Sequence, residues 1–223
     1  MRLVVLGGNG RTGVHLVEQA LERGHNITAL VRNPAKLPTR PGLHVCEGTP
    51  LNLEDVYKTF KAGSCYTRPE AVIVCLNPSR ASDSPFSRPT APPRFMADSV
   101  ANAITAMRLH NVPKIVIMQA LGVGNSFSNL PWWMRYVRYW TYMKHSYDDH
   151  DLVNNEVQLA GVTYVLPRPP WLTNGEASPV RTFGNTGHGI GTFAMISRKS
   201  VANFLLDACE RDDWDASTPV IAR

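Results

Sequence analysis

Leu3-Val4-Val5-Leu6-Gly7-Gly8-Asn9-Gly10-Arg11-Thr12-Gly13-Val14 decides the fold. The apolar run at its start reads as a strand, and it passes without a break into a glycine-rich turn. Beyond the turn, Val14, Val17 and Leu21 recur at helical spacing until Gly24. Gly8 to Gly13 spells G-x-G-x-x-G, and Gly7, Gly10 and Gly13 also give G-x-x-G-x-x-G. Alone the pattern says little; between a strand and a helix it predicts a dinucleotide site. One glycine lets the chain turn sharply, and a second lets the main chain approach a pyrophosphate with no Cβ in the way. A third lets the helix pack closely on the strand. The free N–H groups and dipole of the helix N-terminus then face the phosphates. The competing reading is a tight turn that holds no ligand.

The next strand, Asn26-Ile27-Thr28-Ala29-Leu30-Val31, is followed by Arg32. A dinucleotide binder that selects the 2′-hydroxyl places Asp or Glu here. Arg32 would instead attract a 2′-phosphate and could grip it with two hydrogen bonds, with Lys36 and Arg40 adding to the field. The expected cofactor is therefore NADP(H). The alternative is that Arg32 is a solvated residue at a strand end.

Further strands are expected at Leu43-His44-Val45-Cys46, Ala71 to Leu76, Lys114 to Met118 and Val162 to Leu166, with a short one at Pro219-Val220-Ile221. Helical patterns fall at Leu53 to Ala62, Met96 to Met107, Leu152 to Leu159 and Val201 to Ala208. The unbroken apolar run Ala71-Val72-Ile73-Val74-Cys75-Leu76 suits a strand buried on both faces. Strand and helix alternate, so the expected fold is α/β: a Rossmann-like, doubly wound parallel sheet. The chain, 1–223, reads as a single domain with insertions at about 77–93, 122–146 and 167–196 on the substrate side. The first follows a strand at the carboxyl edge, where ligands bind in such sheets. The second is aromatic: Phe127, Trp132, Trp133, Tyr136, Tyr139, Trp140 and Tyr142. Trp132, Trp133 and Trp140 could close over a flat apolar substrate or pack on the sheet.

Net charge is +5, from 23 basic and 18 acidic residues, which suits an anionic ligand. No basic run is dense enough to argue for nucleic acid or an anionic membrane, so a small-molecule partner is expected. Cys46, Cys65, Cys75 and Cys209 lack C-x-x-C spacing and read as reduced thiols, not a metal or disulfide framework. The first strand starts at once, leaving no room for a signal peptide, and a cytoplasmic location is expected.

The sequence resembles the atypical short-chain reductases with an NmrA-like NAD(P)H-binding fold, of the biliverdin-IXβ reductase/flavin reductase type. The resemblance rests on Gly7 to Gly13, Leu30-Val31-Arg32, Ala71 to Leu76, Lys114-Ile115-Val116, Asp148-Asp149-His150, Gly161 to Val165, Pro169-Pro170 and Ile196-Ser197-Arg198. It implies that Asn9, Arg11, Thr12 and Gly13 hold the pyrophosphate and that Arg32 holds the 2′-phosphate. Leu76 and Asn77 would line the nicotinamide-side ribose, and Gln119 and Ala120 would flank the nicotinamide. His150 matches a histidine near the family's active site, and Pro170 and Trp171 would sit over the substrate pocket.

The chain departs from that pattern in informative places. Gln119-Ala120 stands where Ser or Thr is usual, Trp171 where the relative has histidine, and Gly48-Thr49 where Gly-Asp is usual, which alters the adenine contact at Thr49. The Tyr-x-x-x-Lys acid pair is missing from its usual place: Tyr147 has Asp151 four residues on. A carbonyl reductase protonates a developing alkoxide, usually from such a tyrosine. Without it, three readings stay open. The first is reduction of a bulky aromatic or conjugated molecule, such as a flavin, quinone or pigment, with the proton from solvent or His150. The second is a non-redox isomerase, dehydratase or cyclase with structural NADP(H). The third is an NmrA-like dinucleotide-sensing regulator. His150 is the candidate acid or oxyanion donor, with a structural hydrogen-bonding role as its alternative.

Overall fold

The computed structural model describes residues 1–63 and 68–223; Cys65 lies outside the described residues. Six strands, β1 (Arg2–Leu6), β2 (Asn26–Val31), β3 (Leu43–Glu47), β4 (Ala71–Val74), β5 (Lys114–Ile117) and β6 (Thr163–Val165), form one parallel sheet in the order β3-β2-β1-β4-β5-β6. The chain builds outward from β1 to β3, then returns to the other side of β1 with β4. That reversal opens a crevice at the carboxyl ends of β1 and β4.

Both faces of the sheet are covered, as the apolar strands require. Leu3, Val5, Ile27, Ala29 and Ile73 point to one face and pack with α1 (Gly13–Glu22) and α6 (Arg198–Glu210). Val4, Leu6, Leu30, Val72 and Val74 point to the other, against α2 (Leu53–Lys61), α3 (Phe95–His110) and α5 (Met143–Gln158). The period of two along each strand thus sorts one continuous run into two cores. The expected Rossmann-like doubly wound sheet is the observed one.

Two features differ from the sequence reading. The helix expected from Leu152 starts nine residues earlier, at Met143, inside the stretch read as an insertion. Its buried stripe includes Tyr147, Asp149, His150 and Asn154, and those polar residues mask the helical period. The Asp149 carboxylate accepts from the N–H groups of Met96 (2.7 Å) and Ala97 (3.0 Å), at the start of α3. The buried Arg168 donates to the Asn154 carboxamide oxygen at 2.7 Å. These bonds satisfy the polar face and fix where α5 lies.

The second difference is in the carboxyl-terminal third, where three unexpected strands join the expected terminal one outside the main sheet. These are β7 (Trp171–Thr173), β8 (Arg181–Thr182) and β9 (Met195–Ser197); β7 pairs with β9, and β8 with the terminal β10 (Ile221–Ala222). The aromatic stretch contains α4 (Trp132–Trp140). No helix among the described residues is long and apolar enough to cross a membrane.

Candidate active site

The turn from β1 to α1 is tight for reasons written in its glycines. Gly7 has φ +88°, a region that disfavours side chains, and a Cβ there would lie 2.9 Å from the Cys75 carbonyl oxygen. A Cβ at Gly13 would lie 2.1 Å from the Gly7 carbonyl oxygen, so only glycine lets α1 start this close to β1. The Gly10 N–H donates to the Gly7 carbonyl at 3.0 Å, and Thr12, at the cap of α1, offers no side-chain hydrogen bond to the helix. The first turn therefore keeps donors for an external anion.

A cavity of about 630 Å³ opens on this turn. Gly7, Asn9, Gly10, Arg11 and Thr12 form one wall, and Leu76 to Arg80, Ser82 and Asp83 with Arg32 and Pro50 form others. Gln119, Ala120, His150, Pro169 and Pro170 line the far end, and Arg198 lies near Arg11 and Asp83. The structure thus brings together most of the residues singled out from the sequence. Gly13 shapes the turn from behind the lining. Thr49 is not part of the lining; its N–H donates to the Asp55 carboxylate at 3.0 Å. Trp132, Trp133 and Trp171 lie outside it too. Trp132 is 80% and Trp171 62% exposed, and Trp133 stacks on Phe193. The aromatic residues of α4 therefore neither roof this cavity nor fill the core.

The charge of the cleft is lopsided. Arg11, Arg32, Arg80 and Arg198 line it, and Asp83 is the one acid among the described lining residues. Arg11 and Asp83 meet in a two-pronged pair at 2.8 and 3.0 Å, and hydrogen bonding to Arg11 holds the Asp83 carboxyl below its usual range. Burial, with Arg11 nearby, lowers the pKa of Arg198, which donates to Asn174 at 2.6 Å. Arg32 makes no ion pair among the described residues and stays exposed at the end of β2. The glycine-bare turn, the uncapped helix start and the excess of arginines fit a dinucleotide.

Arg80, Asp83 and Arg198 were not singled out from the sequence. Arg80 and Asp83 sit in a proline- and serine-rich stretch whose path no local pattern reveals. Arg198 entered only as part of the Ile196-Ser197-Arg198 match, with no role given to it.

At the far end, Gln119 follows β5, and its carboxamide oxygen lies 2.9 Å from His150 Nδ1. Both side chains are buried, and Gln119 Nε2 has no partner among the described residues. Burial, helped by the Arg138 guanidinium, pushes the His150 pKa down to about 4. The ring is then neutral at neutral pH, which suits a hydrogen-bonding role for His150 better than that of a charged acid. Nor does Tyr147 supply an acid. Its hydroxyl donates to the Leu121 carbonyl at 3.2 Å, and burial raises its pKa to about 12.

Comparison with known proteins agrees with this geometry. Residues 7–212 match the model of the NAD(P)H-binding family. A 55-residue stretch is 44% identical to a 3-beta-hydroxysteroid dehydrogenase of Mycolicibacterium neoaurum; the match spans 25% of this chain and only 15% of that relative's length. Among solved structures, the fold is shared with ChuY, an anaerobilin reductase of Escherichia coli O157:H7, at TM-score 0.74 and 14% identity over 99% of this chain and 96% of that one. It is also shared with a short-chain dehydrogenase/reductase of Veillonella parvula solved with NADP, at TM-score 0.69 and 16% identity over 100% and 94% of the two chains. At these identities the structural likeness speaks to the fold.

Proposed function

The chain belongs to the NAD(P)H-binding family, and we propose that it is an NADP(H)-dependent oxidoreductase that reduces a bulky aromatic or conjugated small molecule. The observation that carries this reading is one cleft joining an arginine-rich glycine turn to a buried Gln119–His150 pair, with no acidic proton donor beside it among the described residues.

Each part of the cleft has a task in this reading. The N–H groups at the start of α1 and the Arg11 guanidinium bind the pyrophosphate, and Arg32 binds the 2′-phosphate. Leu76, Asn77, Ala120 and Pro170 shape the space where the nicotinamide end and its ribose lie. When bound, the reduced dinucleotide supplies a hydride. Among the described residues no acid tuned for neutral pH lies at that end, since the His150 ring is neutral and the Tyr147 phenol is committed to Leu121. A conjugated acceptor suits such a site, because it spreads the incoming charge and takes its proton from solvent.

The test follows NADPH absorbance with the purified protein and a flavin or quinone acceptor. Loss of NADPH in step with acceptor reduction is the expected result. Product formation without net NADPH consumption would replace the reading with a non-redox activity. Cofactor binding with no turnover on any acceptor would favour a dinucleotide-sensing role.

A further inference from the structure

The Gln119 carboxamide is a polar group at odds with its surroundings. Gln119 is 3% exposed, and His150, which faces it, is 6% exposed. The carboxamide oxygen is occupied by His150 at 2.9 Å, and the backbone N–H of Gln119 donates to the Pro167 carbonyl at 2.8 Å. Its Nε2 finds nothing among the described residues. A buried donor left unpaired costs about 1–3 kcal/mol, so it calls for a partner. The carboxamide is planar, and fixing its oxygen fixes where its N–H groups lie. The oxygen only accepts, so the neutral His150 ring carries its proton on Nδ1 and donates it to Gln119. α5 is in turn anchored by Asp149 on α3 and by Asn154 on Arg168, which keeps His150 from drifting. Both Gln119 and His150 line the cofactor cleft, at the end away from the glycine turn.

We propose that Gln119 is the donor that holds the oxygen of a conjugated carbonyl substrate, with His150 as the residue that positions it. The inference rests on the reductase reading and narrows its substrate class to acceptors in which the reduced atom is conjugated to a carbonyl. In the step, the substrate takes a hydride at the carbon conjugated to its C=O. The C=C π pair shifts toward the carbonyl, and the oxygen gathers the negative charge of an enolate. Gln119 Nε2 stabilises that charge, and solvent supplies the proton that completes the reduction. The substrate gains two electrons and two hydrogens, and the dinucleotide passes from its reduced to its oxidised form. Gln119 and His150 end the step with the protons they began with.

The test uses menadione as the carbonyl probe and the full chain. It compares wild type with Gln119→Leu, which removes the donor, and Gln119→Glu, which keeps the acceptor for His150 but loses the N–H groups. Expected is a fall in kcat of about 100-fold, the scale set by loss of one oxyanion donor. The Kd for NADP+ should stay within about twofold of wild type, and the Kd of menadione for the NADP+ complex should rise. His150→Phe should lower kcat as well, and His150→Asn, whose amide can still donate to Gln119, should restore part of it. The variant that keeps a wild-type melting temperature decides if the other does not fold. Wild-type turnover in a folded Gln119 variant, or a loss of NADP+ affinity that parallels the loss of kcat, would overturn the assignment. If wild type consumes no NADPH with menadione or a flavin, the reductase reading falls. The menadione Kd then judges Gln119 separately, and a value unmoved by its substitution rejects the donor role.

Discussion

At the scale of single residues, the site depends on a few atoms whose neighbours leave them no freedom. Gly13→Ala places a methyl group 2.1 Å from the Gly7 carbonyl oxygen. We expect the variant to lose dinucleotide affinity and to melt lower; wild-type binding and melting temperature would mean that the turn is not built this way. Arg32→Ala should weaken NADPH by roughly 1.5–3 kcal/mol, the worth of a charged hydrogen bond, and leave NADH nearly unchanged. Parallel titrations with both cofactors read this directly. His150 gives a stability signature. Its unfolded imidazole titrates near about 6.5, and in the fold burial holds it at about 4. The unfolded chain therefore takes up a proton that the folded one refuses. This contribution is complete above pH 6.5 and is lost as pH falls toward 4, to an extent on the order of 3 kcal/mol. Urea unfolding at pH 7 and pH 4.5 should show a smaller acid loss in His150→Asn than in wild type; an equal loss would contradict the buried neutral ring. The glycine turn and the place of Arg32 at the end of β2 were legible in the sequence because both are set locally. The free amide of Gln119 was not, since a glutamine's neighbours in sequence do not say which of its atoms are satisfied.

At the scale of elements, the cleft is assembled from segments far apart in sequence. The stretch after β4 reaches across to the glycine turn, and Asp83 occupies the Arg11 guanidinium at 2.8 and 3.0 Å. A pyrophosphate that uses Arg11 must compete with that carboxylate. Asp83→Asn should therefore tighten NADPH binding, by severalfold at low salt and less at high salt, because the pair is exposed and screened. Weaker binding in Asp83→Asn would instead assign Asp83 a role in holding the cofactor. The sequence placed this stretch at the ligand edge of the sheet, because the strand before it was plain. The pairing was hidden, since it joins residues 72 positions apart. α5 was half legible for a related reason: its buried face carries Asp149, His150 and Asn154, whose partners lie on α3, after β5 and at Arg168. A polar residue on a buried face breaks the apolar period by which a helix is recognised.

At the scale of the whole molecule, the doubly wound sheet sets the cleft where the strand order reverses, and the arginines give it the charge of an anion site. The sheet was readable from runs of apolar residues alternating with helical spacing, which is a property of short windows. The short strands β7, β8 and β9 were not, because two or three residues carry no period, whereas the terminal strand was expected at Pro219-Val220-Ile221. The exposure of the α4 aromatics also depends on the finished surface rather than on the sequence of the helix. The proposed function has the molecule bind a reduced dinucleotide with an extra phosphate at this reversal. Equilibrium titration of the full chain with NADPH and with NADH tests that most directly. The account predicts saturable one-to-one binding, tighter for NADPH by about tenfold or more, in line with a charged hydrogen bond to the 2′-phosphate. Equal affinity for the two cofactors, or tighter binding of NADH, would contradict it.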